Sequence, residues 1–235
     1  MTLTSSPSCF QCNARYHSIF NELSSLELEA LDDFKTCQKF KKGEVIFEEG
    51  AYPHGVHCIN SGKVKVSQSG ADGREQIIHL SKNGDVLGYR AVLGGDKYSC
   101  SAVALEDSAI CFIPTKVLIA LIEKDPKLAF NIIHLFSNEL KAAERGITNI
   151  AQKSVKERLA QGLLLLKESY GLEDDNKTIN IRITREELAN IVGTARETVT
   201  RLLFDFEKEG TIALEGKKIK ILDQSKLVRL SNIFD

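Results

Sequence analysis

Between residues 40 and 114, short apolar runs alternate with glycines and polar residues. The runs are VIF (45–47), VHCI (56–59), VKV (64–66), IIHL (77–80) and AICFI (109–113). Many short strands with turn signals between them are typical of a small antiparallel barrel or roll. The pattern therefore predicts an antiparallel β-roll in this part of the chain.

A helical period begins at Asp125, a favourable helix N-cap that is followed by Pro126 in the preferred first position. Apolar residues then recur every three or four positions: Ala129, Ile132, Phe136, Leu140, Ala143, Ile147 and Ile150. This spacing resembles a coiled-coil seam. Leu128, Ile133 and Leu135 form a second apolar flank, which predicts packing on the roll. A helix with two apolar flanks is expected to face its own roll and a second copy of the chain across a two-fold axis.

After the long helix, a second helix is predicted at about 155–170. Two pairs of residues with the spacing of a capping box come after it. Thr184 with Glu187 predicts a helix start, and Gly193 predicts that helix's end. Thr194 with Glu197 predicts the start of the next helix. The apolar residues of this last helix share one face: Val199, Leu202, Leu203 and Phe206. Two short helices around a tight turn form a helix-turn-helix.

The opposite face of the second of these helices carries Arg196, Glu197, Thr200 and Arg201 side by side near its N-terminal end. Arginine can donate two hydrogen bonds to guanine, and glutamate can accept one from the cytosine amino group. The functional interpretation is base recognition in the DNA major groove. The structural alternative is that Glu197 only caps its helix and the arginines form a solvated face.

The flanking segments favour the functional interpretation. Residues 179–183 alternate apolar and polar positions like a strand, and residues 212–222 predict a hairpin that turns at Glu215 and Gly216. A strand, two helices and a hairpin make a winged helix.

The segment ITREELANIVGTARETVTRLLFDFEKEGTIALEGKKIKI resembles the DNA-binding domain of the Crp-Fnr family of bacterial transcription regulators, with RETVTR as its recognition-helix signature. Arg196, Glu197 and Arg201 fall where the family reads bases, and Thr200 falls at a variable position. The resemblance implies half-sites with a TGA core. Three further residues around the two helices are expected to contact DNA: Thr184, Arg185 and Thr194.

The order of roll, long helix and winged helix is also that of the family, so the resemblance covers nearly the whole chain. It implies an α+β fold with a sensor β-roll over 1–124, a dimerisation helix over 125–150 and a winged-helix domain over 151–235. The implied protein is a homodimer that binds double-stranded operator DNA and contacts RNA polymerase. In the implied mechanism, the roll senses a signal, and the resulting change repositions the two recognition helices.

The stretch from 84 to 114 resembles the oxygen-sensing branch of the family more than the cyclic-AMP branch. In the nucleotide-binding members, a Gly-Glu pair and an Arg-Ser or Arg-Thr pair hold the ribose and phosphate. The candidate effector pocket here is Gly84 with Asp85 and Tyr98 with Ser99, so the phosphate arginine is missing. A buried phosphodiester without a charged partner is costly. Cyclic AMP is therefore not expected as the ligand.

The oxygen-sensing branch holds an iron-sulfur cluster, and three of its four ligand positions are cysteines here: Cys9, Cys12 and Cys111. The fourth position is Ser18, which has no thiolate, although His17 beside it offers an imidazole. The resemblance implies a cluster as the candidate cofactor.

Four alternatives stay open at this point: a thiol switch at Cys9 and Cys12, zinc, another small ligand, or none. Cys111 alternates with apolar neighbours and is equally consistent with a buried small residue. The other cysteines, Cys37, Cys58 and Cys100, are expected to be reduced core or surface thiols, because a cytosolic compartment disfavours disulfides.

Composition limits the remaining function classes. The net charge is −1 with 43% hydrophobic residues, as in an ordinary globular protein, so DNA affinity must come from local placement of basic residues. The candidates are Arg185, Arg196, Arg201, Lys217, Lys218 and Lys220. The N-terminus lacks a secretory pattern and no apolar run is long enough to span a bilayer, which predicts a cytoplasmic protein.

Two other classes of function are alternatives to a DNA-binding regulator. A barrel-based enzyme lacks support, because the chain has no nucleophile elbow, phosphate-binding glycine loop or HExxH motif. A winged helix that binds only proteins would not show salt-dependent, sequence-selective retention of operator DNA.

Overall fold

The computed structural model describes residues 7–232. The chain forms two compact units. The first unit runs to Ser69 and resumes over Ile78–Leu140, and the second holds Gly70–Ile77 and the chain from Lys141 onward. The ends of the predicted domains, 1–6 and 233–235, lie outside the described residues, as does the start of the N-terminal stretch that is predicted to lack a secretory signal. No helix among the described residues is long and apolar enough to cross a membrane.

Eight strands build the predicted β-roll. They are β1 (Thr36–Phe40), β2 (Val45–Phe47), β3 (Gly55–Ser61), β4 (Val64–Ser69), β5 (Glu75–Ser81), β6 (Val86–Leu87), β7 (Ser101–Ala104) and β8 (Ser108–Pro114). One sheet has the strand order β1-β8-β3-β6, and the other has the order β2-β7-β4-β5. All five apolar runs lie in strands, and the predicted α+β architecture is confirmed.

Helices cover the outer face of the first sheet. They are α1 (Ser25–Phe34), α2 (Tyr89–Gly94), α3 (Thr115–Lys124) and the first turns of α4 (Pro126–Gln152), preceded by two 3₁₀ turns at Cys9–Gln11 and Asn13–His17. Val56 and Ile113 of the sheet pack with Leu28, Leu118 and Leu128 of the helices in one buried core. A second core fills the interior of the roll. From residue 7 onward the N-terminal segment is part of the sensor unit, since Cys9, Phe20 and Leu23 lie in the same core.

The apolar residues of α4 divide between two faces. Leu128 and Ile132 are buried against the roll, whereas Ile133 is 59% exposed. The prediction that Ile132 belongs to the partner seam and Ile133 to the roll-facing flank is wrong, because the approach of the roll decides which flank is covered. The exposed row has a regular three-four spacing: Ile133, Phe136, Leu140, Ala143, Ile147 and Ile150.

The second unit contains the predicted winged helix. Its elements are α5 (Val155–Tyr170), α6 (Arg185–Val192), α7 (Arg196–Lys208), β9 (Ile212–Glu215), β10 (Lys218–Ile221) and α8 (Gln224–Ser231). The strand predicted over 179–183 is not regular, because a tight turn from Ile179 to Ile181 interrupts it. Ile179 and Ile183 still donate backbone hydrogen bonds to the β10 side of the hairpin. Alternate burial of isoleucines had produced the strand-like pattern.

Candidate functional site

The first helix of the helix-turn-helix has the predicted cap. The Thr184 hydroxyl accepts from the Glu187 backbone N–H at 3.1 Å, and the Glu187 carboxylate accepts from the Thr184 N–H at 2.7 Å. Gly193 ends α6 in the left-handed conformation, with φ of 70°. Glycine is favoured there because it has no Cβ to clash. These contacts fix the turn that leads into α7.

The second predicted capping box is wrong. The N-cap of α7 is Ala195, which has no side chain able to cap the helix, and the N–H of Thr194 instead donates to the Ala189 carbonyl. Because the helix begins at Arg196, Glu197 is its second residue and not its third. Thr194 and Glu197 therefore do not form a capping box.

The polar face of α7 is placed as the sequence predicts. Arg196 and Glu197 are exposed, and the Arg201 side chain is 68% exposed with its guanidinium 3.7 Å from the Asp205 carboxylate. The Thr200 hydroxyl donates to the Arg196 carbonyl at 2.8 Å. The opposite face is buried in the second unit: Val199, Leu202, Leu203 and Phe206.

Arg185, the first residue of α6, is half-buried.

Arg158 of α5 was not identified from the sequence, although it holds the turn in place. Its guanidinium donates to the carbonyls of Val192 at 2.9 Å, Gly193 at 3.3 Å and Lys153 at 2.8 Å. Lys153 directly follows the long helix α4. Arg158 thus links the end of α4 to the turn of the helix-turn-helix, and no local pattern signals this contact between residues 34 positions apart.

The hairpin lysines have acidic partners on the chain itself. Lys218 lies 2.7 Å from Glu173, and Lys220 lies 3.1 Å from Asp175. Both acids belong to the loop after α5. Lys217, at the turn of the hairpin, is exposed.

A cavity of about 50 Å³ lies between the N-terminal turns and the outer face of the first sheet. Its polar lining includes Cys9, Cys12, Ser18, Cys58 and Cys111. The three predicted cluster ligands therefore meet at one cavity, and Ser18 reaches it too. His17 is not among its lining residues.

The chemical state of Cys111 differs from the prediction. It forms a disulfide with Cys37, which had been expected to be a reduced thiol. The two residues lie directly opposite each other on β8 and β1. Directly opposite residues in an antiparallel pair project to the same side at short distance, and this long-range register is not visible in the sequence.

Burial governs the thiols of the cavity. It raises the pKa of Cys9 to about 11, although the ammonium of Lys35 opposes this change, and it raises the pKa of Cys58 even further. Burial also acts to raise the pKa of Asp32, but hydrogen bonds from Lys35 and Cys9 lower it to about 2. The Lys35 side chain, which contacts Asp32, is only 3% exposed. Lys35 offsets the burial of the Cys9 thiol only in part, because its carboxylate partner Asp32 acts on that thiol in the opposite direction.

The cysteine cavity offers thiol donors, which are the ligand type of iron-sulfur clusters. As the side chains stand, no three or more His, Cys, Asp or Glu residues within 7–232 are grouped so as to hold a metal ion. Cysteines around a shared cavity suit a cluster, whose several irons each take a different thiolate. Cys111 becomes available as a thiolate only when its disulfide is reduced.

The four residues of the candidate effector pocket have different surroundings. Gly84 lines the cysteine cavity and lies against the backbone of Ala14, and Asp85 accepts a hydrogen bond from the Lys82 N–H. Tyr98 instead lies in the interior of the roll, where its ring stacks on Phe47 at 4.1 Å. Ser99, next to it, uses its carbonyl to accept from the Gln68 side chain.

Comparison with known proteins agrees with both units. A cyclic nucleotide-binding domain model matches residues 37–125, and a Crp-like helix-turn-helix domain model matches residues 157–230. The fumarate and nitrate reduction regulatory protein of Vibrio cholerae is 32% identical over 227 residues, which are 96% of this chain and 90% of that protein. Electron transport regulator A of Shewanella oneidensis is 34% identical over 93% of this chain and 88% of its own length.

Solved structures show the same fold. FixK2 from Bradyrhizobium japonicum has a TM-score of 0.77 at 23% identity, covering 86% of this chain and 99% of that one. A putative crp/fnr-family regulator from Eubacterium rectale has a TM-score of 0.74 at 24% identity, covering 92% and 98%. The similar proteins are named as regulators, which confirms the prediction that this chain is not an enzyme.

Proposed function

The chain belongs to the Crp-Fnr family of DNA-binding transcription regulators, and on this basis we propose that it is a homodimeric regulator whose cysteine cavity senses redox state. The observation that carries the proposal is the meeting of Cys9, Cys12 and Cys111 at one cavity beside the helices that cover the roll. The names of similar proteins refer to fumarate and nitrate reduction and to electron transport, which agrees with a redox signal.

The DNA side of the proposal rests on α7. Arg196, Glu197 and Arg201 read base edges in the major groove, with Thr200 beside them. Thr184, Arg185 and Thr194 lie at the N-terminal ends of the two helices and at the turn between them, where backbone phosphates are contacted. The operator is palindromic because a two-fold dimer presents two copies of α7 to two half-sites, and the family resemblance implies that each half-site has a TGA core.

The dimer rests on the exposed row of α4. Ile133, Phe136, Leu140, Ala143, Ile147 and Ile150 have the a and d spacing of a heptad repeat. Ile147 is 70% exposed and Ile150 is 61% exposed in the single chain. A row of large apolar side chains along a helix is stabilised when a second copy of that helix covers it. The same helix carries Leu128 and Ile132 in the core of the sensor unit, so the state of that unit bears on pairing.

The cofactor of the proposal is an iron-sulfur cluster bound by Cys9, Cys12 and Cys111. When bound, the cluster would be the group that reacts with oxygen or with another oxidant. The chain would supply thiolates, the Lys35 ammonium paired with Asp32 beside Cys9, and apolar walls that limit the access of water. Cyclic AMP is not proposed, because Tyr98 packs within the roll where an arginine is needed for the phosphate.

A second sensor mechanism is favoured by the Cys37–Cys111 disulfide. A peroxide or disulfide oxidant would take two electrons and two protons from the two thiols to form this bond. Reduction by a dithiol would restore both thiols. This switch needs no cofactor, and it acts on one of the same cysteines.

The test measures binding of a palindromic operator by protein prepared without oxygen and by the same protein after exposure to air. Sedimentation of both samples reports dimerisation. The proposal expects the affinity or the dimer fraction to differ at least five-fold between the two preparations, and retention to be sequence-selective and salt-dependent. Equal affinity and equal dimerisation in both states would contradict redox sensing while leaving DNA binding intact. Loss of the difference in Cys37→Ala alone favours the disulfide switch over the cluster.

A further inference from the structure

Cys58 is placed at the cysteine cavity by the register of the first sheet. It lies on β3 directly opposite Cys111 on β8, and both line the cavity. Opposite residues of an antiparallel pair project from the same face of the sheet. Cys9 and Cys12 approach that face from the N-terminal turns. Four cysteines from three separate segments therefore surround one space.

Ser18, which occupies the fourth ligand position by resemblance, is used differently. Its hydroxyl donates to the Arg15 carbonyl at 2.7 Å and accepts from the Phe20 N–H at 3.1 Å. These two hydrogen bonds fasten the end of the second 3₁₀ turn. Turning the hydroxyl toward a metal would break both, and its oxygen would still be a poorer ligand for iron-sulfur irons than a thiolate.

We propose that Cys58 supplies the fourth thiolate of the cavity, completing with Cys9, Cys12 and Cys111 a ligand set for an iron-sulfur cluster. The inference rests on the proposed function, because it assigns a ligand of the same sensor site. It changes the expected geometry, since two ligands then come from neighbouring strands of the roll and two from the N-terminal turns. Cluster loss would release the N-terminal turns from β3 and β8 together.

The surroundings of the four sulfurs fit this role. The Asn60 side chain, two residues after Cys58 on the same face of β3, donates to the Cys12 sulfur at 3.2 Å. Lys35 also lines the cavity. Hydrogen bonds and cations next to ligand sulfurs stabilise a thiolate-bound cluster and adjust its potential. Cys100, by contrast, lies in the core inside the roll and is not at this cavity.

Cys37 competes with the cluster for Cys111. It lies opposite Cys111 on the other neighbouring strand, so Cys111 has Cys37 on one side and Cys58 on the other. Loading the cavity therefore requires that a dithiol reductant transfers two electrons and two protons to the Cys37–Cys111 bond, leaving two thiols and a cyclic disulfide of the reductant. Replacing Cys37 removes this requirement.

The experiment uses the full chain, reduced with dithiothreitol and reconstituted without oxygen with ferrous iron, cysteine and a cysteine desulfurase. Iron and acid-labile sulfide per chain, with the visible and electron paramagnetic resonance spectra, are measured for Cys58→Ala. Ser18→Ala and Cys100→Ala are the matched controls, because one removes the rival ligand and the other removes a buried cysteine outside the cavity. The double variant Ser18→Cys with Cys58→Ala tests whether a thiol at the rival position restores the cluster in a folded protein.

We expect Cys58→Ala to lose at least 80% of the iron and sulfide, both controls to keep the wild-type content, and the double variant to regain most of it. Full iron and sulfide in Cys58→Ala with an unchanged spectrum would overturn the assignment of Cys58, as would their loss in Ser18→Ala alone. If the wild-type chain takes up no iron or sulfide, both the proposed cluster and the assignment of Cys58 as its ligand are overturned. Redox-dependent operator binding then still decides the proposed function separately.

Discussion

Arg158 donates from Nε to the carbonyl of Val192 at 2.9 Å, and so connects α5 with the last residue of α6. The same guanidinium binds the carbonyl of Lys153 just after α4. One side chain therefore bridges the end of α4 and the turn before α7, and we propose that a displacement of α4 is transmitted through it. The Arg158 contacts are therefore the structural basis that we propose for coupling between the dimer helix and DNA binding.

Replacing Arg158 with alanine is expected to weaken operator binding at least ten-fold without weakening the dimer. The reason is that three carbonyls lose their donor, at a cost of roughly 1–3 kcal/mol for each that stays buried, and α7 loses its fixed orientation. Fluorescence anisotropy with labelled operator and analytical ultracentrifugation measure the two properties. Arg145→Ala, an exposed position on α4, is the control for lost charge. Unchanged affinity in Arg158→Ala would show that the turn is held by other contacts.

Glu197→Ala is expected to change DNA specificity and not stability. Glu197 is exposed and makes no capping box with Thr194, so the free energy of unfolding should change by less than about 0.5 kcal/mol. Loss of a base contact should reduce the preference for the operator over a scrambled sequence by roughly 1–3 kcal/mol. The ratio of the two dissociation constants is the measurement, with Glu168→Ala on α5 as the control. An unchanged ratio would assign Glu197 to the solvated face.

Ile147→Glu is expected to dissociate the dimer. Ile147 is 70% exposed in the single chain, so a charge there costs the monomer little, whereas it must be buried unpaired at a paired seam. Sedimentation should show at least a ten-fold weaker dimer, and operator affinity should fall with it. Thr148→Glu adds the same charge one residue along, away from the seam, and should leave the dimer intact. Equal sedimentation of both variants would place the dimer contact elsewhere.

His57 makes the stability of the roll sensitive to mild acid. Its ring lies between Phe47 and Phe112, its Nδ1 is buried without a hydrogen-bond partner in the described part of the chain, and burial lowers its pKa to about 4. The unfolded chain binds a proton at His57 below about pH 6.5 and the folded chain does not, so lowering the pH favours unfolding. The contribution reaches about 3 kcal/mol near pH 4.

Urea unfolding at pH 7 and pH 4.5 measures this effect. His57→Leu should lose less stability than the wild type between these pH values, while His79→Gln, at an exposed position, should behave like the wild type. If His57→Leu and the wild type lose the same stability, the ring is protonated within the fold.

Local signals were sufficient for much of the architecture. Thr184 and Glu187 lie within one helical turn, and Gly193 is the residue type that its backbone conformation requires, so α6 was predicted correctly. Thr194 and Glu197 have the same spacing but form no capping box, because α7 begins at Arg196 with Ala195 as its N-cap. The flank of Ile132 depended on where the roll lies, which no residue of α4 encodes.

The long-range neighbours were the ones that sequence reasoning missed. Cys58 and Cys111 come together only through the pairing of β3 with β8, and Cys37 joins them through β1. The resemblance placed Cys9, Cys12 and Cys111 at one site, and the cavity agrees with that placement. The resemblance also assigns the fourth ligand position to Ser18, whereas the sheet register brings Cys58 to the same space.

The ion pairs of the wing have a consequence for how strongly salt controls DNA binding. Lys218 and Lys220 already have Glu173 and Asp175 as intramolecular counter-ions. When such a lysine contacts a DNA phosphate, it exchanges its carboxylate partner for the phosphate. The carboxylate that it leaves then remains, negatively charged, near the DNA. The net charge brought to the DNA is thus smaller than the number of lysines in the hairpin suggests. The logarithm of the affinity should then fall less steeply with the logarithm of salt concentration than a count of basic residues predicts, and Glu173→Gln should steepen that slope.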